Sequence, residues 1–95
     1  MLTKVNVVSE VNALGQLFVY KKIARLNEHV LSVVQVENRT LDFHVHDLSD
    51  ELFYVIEGSF ELETKEGLTM VNQGEFIIVP RNTPHRPVVG KLTKF

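Results

Sequence analysis

Short apolar runs alternate with turn-forming residues over most of the chain. From His29 onward, clusters of Asn, Asp, Ser, Gly and Pro separate segments rich in β-branched and aromatic residues: VLSVVQV, LDFHVH, LFYVIE, FELE, LTMV, FIIV and RPVV. Many short strands at this spacing, with no helical period between them, are typical of an antiparallel sandwich or barrel. The pattern therefore predicts an all-β domain over residues 29–95.

The first 28 residues show a less regular pattern. Ser9 can cap a short helix, and the apolar residues Val11, Leu14 and Phe18 follow it at helical spacing. Gly15 and the β-branched content weaken such a helix. We therefore expect either a short helix or an irregular lead-in.

The segment FVYKKIARL, residues 18–26, alternates apolar and polar positions imperfectly. Asn27 and Glu28 can form a turn that returns the chain onto a strand starting at Val30. This pattern predicts a β-hairpin. Residues 1–28 would then pack as a lead-in and first strand on a barrel of residues 29–95, within a single domain.

Two of the apolar segments, residues 52–56 and 76–79, carry apolar side chains on both faces. One face of each strand would line the core, and the other face also needs to be covered. Coverage by the N-terminal segment is one explanation, and coverage by a partner subunit is the other. Because the domain is small, we favour a homodimer.

Length and composition are those of a small globular domain. With 95 residues, of which 44% are hydrophobic and 23% charged, the chain has room for one core and is too apolar to be disordered. The formal net charge is −2, and the basic residues are spread along the sequence. Nucleic-acid binding is not expected, since phosphate contacts need positive charge on one face.

The sequence also argues against membrane insertion and cysteine chemistry. The N-terminal MLTKVNVVSEV lacks a continuous apolar run, and no segment approaches the roughly 20 apolar residues of a membrane helix. We therefore expect a cytoplasmic protein that does not bind membranes. The chain has no cysteine, so any metal has to be held by histidine and carboxylate ligands.

The segment FHVHDLSDELFYVIEG, residues 43–58, concentrates potential metal ligands. His44 and His46 are two residues apart, so both side chains would project to one side of a strand. Glu51 would approach them if the two segments form a hairpin, and a closing barrel could bring His85 across from them. Three imidazoles and one carboxylate suit Mn, Fe(II), Co, Ni or Zn, and leave positions open for water or a ligand.

These residues carry a resemblance to the cupin superfamily. HVHDLSDELFYVIEG resembles its first motif, with two histidines, a glutamate and a closing glycine, and residues 74–85, GEFIIVPRNTPH, resemble its second. The chain is similar to small single-domain cupins of the phosphomannose-isomerase type. The resemblance implies a jelly-roll barrel, or double-stranded β-helix, in which His44, His46, Glu51 and His85 bind a divalent transition metal.

Three positions depart from the family pattern. Cupins usually have glycine where this chain has Asn38 and Asn82. Asparagine accepts positive φ more readily than most residues other than glycine, so we expect both turns to be kept. Val89 stands where the second motif often has an asparagine, which removes a polar group but no metal ligand.

Two arginines near the last histidine are candidates for ligand binding. Arg81 and Arg86 flank His85 and could hold a carboxylate or phosphate at the barrel mouth, although such arginines are commonly solvated. The fourth histidine, His29, follows a turn and has no partner at metal-ligand spacing. We expect it to be a solvated turn residue.

The strand that begins with Glu51 should present alternate side chains to the site. Phe53 and Val55 are in phase with Glu51 and could form an apolar wall of the ligand pocket, whereas Tyr54 should face away.

Together, these features predict a small metal-binding cupin that acts on or binds a small polar metabolite, such as a sugar or a carboxylate. As an enzyme it would be a metal-dependent isomerase, a lyase or decarboxylase, or a dioxygenase, and the fold does not choose among these. No general base stands out, because Glu51 would be a ligand. The alternatives are a non-catalytic ligand-binding or sensing cupin and a dimeric structural module.

Overall fold

Ten short strands and one helix make up the chain, and the computed structural model describes all residues from 1 to 95. The helix is α1 (Val7–Asn12). The strands are β1 (Lys21–Leu26), β2 (His29–Val33), β3 (Gln35–Val36), β4 (Arg39–Thr40), β5 (Glu51–Tyr54), β6 (Ser59–Thr64), β7 (Gly67–Asn72), β8 (Phe76–Val79), β9 (Arg86–Val89) and β10 (Thr93–Lys94). The predicted all-β class is therefore confirmed. The helix has six residues, and no helix in the protein is long and apolar enough to cross a membrane.

The short N-terminal helix exists, but it begins earlier than the pattern suggested. Asn6, and not Ser9, is the N-cap, because its side-chain oxygen accepts a hydrogen bond from the Ser9 backbone N–H at 2.9 Å. The helix ends at Asn12, so Leu14 and Phe18 lie outside it. Val11 is completely buried and anchors the helix on the rest of the fold.

The predicted hairpin is confirmed. Strands β1 and β2 pair antiparallel, and Leu26 lies opposite His29 across a two-residue turn. Asn27 in this turn has φ of 54°, in the left-handed region that asparagine tolerates. The hairpin forms a two-stranded sheet of its own.

The core lies between two layers of antiparallel strands. One layer is a four-stranded sheet in the order β4-β9-β6-β7, and the pair β5-β8 packs against it. The ring of Phe53 on β5 contacts that of Phe60 on β6 at a centroid distance of 5.6 Å, and Phe95 stacks on Phe60 at 5.0 Å. Neighbouring strands such as β4 and β9 are far apart in sequence, which is the strand order of a jelly roll.

The segment 41–46 was predicted as a strand, but it forms a β-bridge at one residue only. His44 forms an isolated antiparallel bridge with His85, while further along Thr40 pairs with Val88. Between these two pairs, the segment that carries His44 contains one residue more than the segment that carries His85. The extra residue forms a bulge that interrupts the strand pairing. Pro84 and Pro87 in the opposing segment also have no N–H to donate.

Strand β5 pairs with β8, and not with the segment that carries His44 and His46. The hairpin that was considered as one way to bring Glu51 alongside the two histidines is therefore not formed. Glu51 lies opposite Val79 and reaches the histidines from a neighbouring strand pair.

Both asparagines that replace family glycines adopt positive φ, 49° at Asn38 and 64° at Asn82. The expectation that these turns are kept is confirmed.

Candidate metal centre

The four predicted ligands converge on one point. His44, His46, Glu51 and His85 each offer one ligand atom, and these atoms all lie within 4.8 Å of one another. Two backbone features bring them together: the His44–His85 bridge, and the register that places Glu51 at the start of β5. This cluster of potential metal ligands is the only one in the chain, and its residues come from three separate segments.

One carboxylate oxygen is the centre of the cluster. Oε1 of Glu51 lies 3.0 Å from Nε2 of His85, 3.6 Å from Nε2 of His46 and 4.0 Å from Nε2 of His44. The same nitrogen of each imidazole therefore faces the same oxygen. This geometry suits a cation placed among the four atoms, since all four are electron-pair donors when the imidazoles are neutral.

Backbone carbonyls fix the orientation of two of the imidazoles. Nδ1 of His85 lies 2.8 Å from the carbonyl oxygen of Thr83, and Nδ1 of His44 lies 3.0 Å from that of Asp42. Each Nδ1 therefore carries the proton and donates it, which leaves Nε2 as the electron-pair donor in the neutral ring. A carbonyl partner on the far nitrogen is the usual support of a metal-binding histidine.

His85 has an acceptor at both ring nitrogens. Its Nδ1 faces the Thr83 carbonyl and its Nε2 faces the Glu51 carboxylate, yet a neutral imidazole has a single N–H. Its side chain is only 1% exposed, so water cannot supply the missing donor. The contact with Glu51 therefore requires a proton or a metal ion between Nε2 and the carboxylate oxygen.

The segment that carries His46 is held by the turn that precedes His85. The backbone N–H of Asn82 donates to the carbonyl oxygen of His46 at 2.6 Å. Because Asn82 has positive φ, its N–H can turn toward this carbonyl while the chain reverses direction. Backbone hydrogen bonds therefore join the two sequence motifs at two places, between His44 and His85 and between His46 and Asn82.

The cluster is closed on one side and open on the other. His85 is buried, whereas the side chains of His44, His46 and Glu51 are 38%, 44% and 34% exposed. Such a site has room for water or a ligand beside the four protein atoms.

A groove of about 1090 Å³ begins at this open side. His46 and Glu51 are among the residues that line it, and most of the others are apolar side chains of α1, the β1–β2 hairpin and β5. Tyr20 also lines the groove, and partial burial together with the negative charge of Glu51 raises its pKa above 10.0. Sequence reasoning did not find Tyr20, because no spacing rule links a residue of the lead-in to the motif residues.

The two candidate arginines have acidic partners on the surface. The backbone N–H and the guanidinium of Arg81 both donate to Asp50, which holds the pKa of that carboxyl below its usual range. Arg86 donates to Glu63 at 2.7 Å and lies over the ring of Phe43. Neither arginine lines the groove, and a ligand-binding role for them stays a prediction.

The two candidate wall residues differ in position. Phe53 lines the groove, and its ring lies 6.3 Å from that of His85, centroid to centroid. Val55 is completely buried in the core and does not line the groove, so a role for it in the pocket wall stays a prediction. Tyr54 alternates with Phe53 along β5, but it is 46% exposed and also lines the groove, so it does not serve core packing as expected.

Fold and site together define a cupin. Residues 30–91 match the family model for the cupin domain, and the chain therefore belongs to the cupin family. This match includes all four residues of the cluster.

Individual relatives agree with this assignment. The chain is 34% identical over 65 residues to the uncharacterised protein YdbB of Bacillus subtilis (strain 168), an alignment that covers 67% of this chain and 57% of YdbB. The structure of a cupin-2 domain protein from Shewanella frigidimarina superposes with a TM-score of 0.89 at 24% identity, over 95% of this chain and 87% of that one. KdgF from Halomonas sp. superposes with a TM-score of 0.69 at 23% identity, over 79% and 73%. These structural likenesses concern the fold.

Proposed function

We propose that the cluster of His44, His46, Glu51 and His85 binds a divalent transition metal, such as Mn, Fe, Co, Ni or Zn. The observation that carries this proposal is the buried ring of His85, which faces a carbonyl oxygen on one nitrogen and a carboxylate oxygen on the other. A metal ion at Nε2 satisfies both contacts with a neutral ring. Histidine nitrogen and carboxylate oxygen form the borderline donor set that these metals prefer.

When bound, the metal would supply a Lewis acid for an oxygen atom of a ligand. The protein residues would supply the rest. The carbonyls of Thr83 and Asp42 hold the rings of His85 and His44 in the ligating tautomer. The exposed sides of His44, His46 and Glu51 leave coordination positions that a ligand can occupy.

We further propose that the ligand is a small polar metabolite, with a hydroxyl or carboxylate oxygen directed to the metal. The polar residues of the groove support this class, since Tyr20, Ser49 and Asp50 line it together with Glu51 and His46. The phenol of Tyr20 can donate a hydrogen bond to a ligand oxygen, because a tyrosine hydroxyl is protonated near neutral pH.

The chain itself provides a matched pair of variants for the metal site. Protein stripped with a chelator should bind one ion per chain in calorimetric titration with Zn²⁺, Mn²⁺ or Co²⁺. His46→Ala removes an exposed ligand with no ring hydrogen bond in the fold, and should weaken binding by at least about tenfold with an unchanged circular dichroism spectrum. His29→Ala removes the one histidine outside the cluster and should bind as the parent does. Equal affinities in both variants would refute the site.

A ligand screen addresses the second part of the proposal. Sugars and hydroxycarboxylates, added to metal-loaded protein, should raise the melting temperature of the parent and raise it less in Tyr20→Phe. The same compounds should have little effect on chelator-treated protein. If the increase in melting temperature is the same without the metal and in Tyr20→Phe, these compounds do not bind at the cluster.

A further inference from the structure

The loop of residues 47–49 is loosely held. It separates His46 from the segment that begins with Asp50 and Glu51, and none of its three residues makes a backbone hydrogen bond. Leu48 in this loop is 85% exposed. A metal site needs its ligands at a fixed separation, and this loop alone does not set the distance between His46 and Glu51. Other contacts have to do so.

The carboxylate of Asp50 accepts two hydrogen bonds from Arg81. Its Oδ1 accepts one from the backbone N–H at 2.9 Å and one from the guanidinium Nε at 3.2 Å. The N–H of Arg81 has no backbone acceptor, and Pro80 before it has no N–H to donate. Asp50 therefore supplies a side-chain acceptor just beyond Glu51 and Val79, the last pair of the β5–β8 ladder.

Both ends of the loop are bonded to neighbouring residues of the second motif. At one end, the carbonyl of His46 accepts the N–H of Asn82 at 2.6 Å. At the other end, Asp50 accepts the N–H of Arg81. Two consecutive N–H groups of one turn therefore hold the segments on either side of residues 47–49. The separation that the loop leaves undefined is set by these two hydrogen bonds.

We propose that Asp50 is a positioning residue of the metal cluster. By accepting the N–H of Arg81, it fixes the strand end from which Glu51 reaches the histidines. Oε1 of Glu51 lies 3.0 Å from Nε2 of His85 and 3.6 Å from Nε2 of His46, so a shift of this strand end changes both distances at once. Strand ends open more readily than strand centres, which makes a bond at this position effective. This inference rests on the proposed metal site.

The two hydrogen bonds of Asp50 differ in weight. The guanidinium bond joins side chains that are 57% and 53% exposed, and ion pairs this exposed contribute little. The backbone bond has a charged acceptor, which strengthens it, and it does not depend on the side chain of Arg81. The positioning role therefore belongs to Asp50 and the main chain of Arg81.

Four variants, each stripped of metal and titrated calorimetrically with Co²⁺, separate these contributions. Asp50→Ala removes the acceptor and should weaken binding by about tenfold or more. Asp50→Asn keeps an oxygen acceptor and Arg81→Ala keeps the backbone N–H, so both should bind nearly as the parent does. Glu10→Ala is the control, because it breaks a surface ion pair between α1 and β1, to Lys21 at 2.6 Å, and should leave binding unchanged.

Two further measurements distinguish positioning from a general loss of stability. The visible spectrum of bound Co²⁺ depends on the number and arrangement of its ligands. At saturation it should therefore change in Asp50→Ala and match the parent in the other three variants. In the metal-free protein, amide hydrogen exchange at Arg81 should be faster in Asp50→Ala than in Asp50→Asn.

The outcomes separate this role from the metal site itself. Parental affinity and an unchanged spectrum in Asp50→Ala would overturn the positioning role and leave the metal site in place. A parent protein that binds no Co²⁺ would refute the site and the role together. A loss of affinity in Asp50→Asn or Glu10→Ala as large as in Asp50→Ala would also overturn the role, since neither variant removes the acceptor.

Discussion

His44 and His85 pair with each other through both of their backbone groups. Each N–H donates to the carbonyl of the other residue at 3.0 Å, and the two ring centroids are 4.2 Å apart. A pair that exchanges both hydrogen bonds has its side chains fixed at directly opposite positions. Two of the four cluster residues are therefore positioned by main-chain bonds, so this half of the site does not depend on a metal ion for its geometry.

Acidification should release the metal. Imidazole nitrogen has to be free of its proton to bind a metal, so protons compete with the ion at three of the four ligands. We expect affinity to fall by on the order of tenfold or more per pH unit below about pH 6, where imidazoles ordinarily become protonated. Metal content after dialysis between pH 7.5 and pH 5 would measure this. Retention that is constant down to pH 5 would contradict ligation by imidazole.

Tyr20 should report on the charge of Glu51. Partial burial and then the negative charge of Glu51 raise the pKa of Tyr20, and Glu51→Gln removes only the second cause. The Tyr20 pKa should therefore be lower in Glu51→Gln. Phenolate absorbance during alkaline titration, with the Tyr20→Phe curve subtracted, gives this value. Identical curves for Glu51→Gln and the parent would mean that the two groups do not interact.

The raised pKa of Tyr20 also predicts how the stability of the protein changes at high pH. Because folding raises the pKa of Tyr20, its contribution to stability is fully present below the unfolded value of 10.0 and is lost as pH rises through the folded value. Urea unfolding of the parent should therefore show a steeper loss of stability above pH 10 than that of Tyr20→Phe. A parallel loss in both proteins would contradict this assignment.

Gly58 should tolerate alanine far less well than Gly74. Both glycines have positive φ, 92° and 83°, but a Cβ at Gly58 would lie 2.7 Å from the carbonyl oxygen of Leu92, whereas a Cβ at Gly74 would meet no atom within 4 Å. We expect Gly74→Ala to cost about 1 kcal/mol of unfolding free energy from backbone strain alone, and Gly58→Ala to cost about 3 kcal/mol. Urea unfolding measures both. Equal losses of unfolding free energy in the two variants would show that the backbone at Leu92 moves away from the added Cβ without destabilising the fold.

Asn82 should affect both stability and the metal site. Its positive φ predicts that Asn82→Gly is nearly neutral and that Asn82→Ala costs about 1 kcal/mol. Asn82→Ala keeps the backbone N–H that donates to the carbonyl of His46, but strain at the positive φ should shift this N–H and so also weaken metal binding. Asn38→Ala is the matched control, since Asn38 has the same kind of φ but bonds to Gly90. A loss of metal affinity as large in Asn38→Ala would indicate general destabilisation only.

Local chemistry made the strands and turns predictable. The hairpin follows from Asn27, and Asn38 and Asn82 kept positive φ because asparagine accepts it. The helix cap was wrong because Asn6 and Ser9 are both good caps, and sequence alone does not rank them.

Long-range pairing was harder to predict. The strand at 41–46 was predicted from its alternation, but that pattern contains no information about the bulge or about the two prolines in the opposing segment. The pairing of β5 with β8, and not with the segment that precedes it, could not be read from the sequence either, since adjacent segments pair often but not always. The cluster still formed as expected, because the period-two spacing of His44 and His46 sets their common direction even at an isolated bridge.

Phe95 makes the core depend on the last residue described. It is 7% exposed, stacks on Phe60, and exchanges both backbone hydrogen bonds with Val34. During synthesis, Val34 and Phe60 leave the ribosome long before their partner does. This part of the core can therefore form only after residue 95 has emerged, and the apolar strands made earlier lack this partner until then.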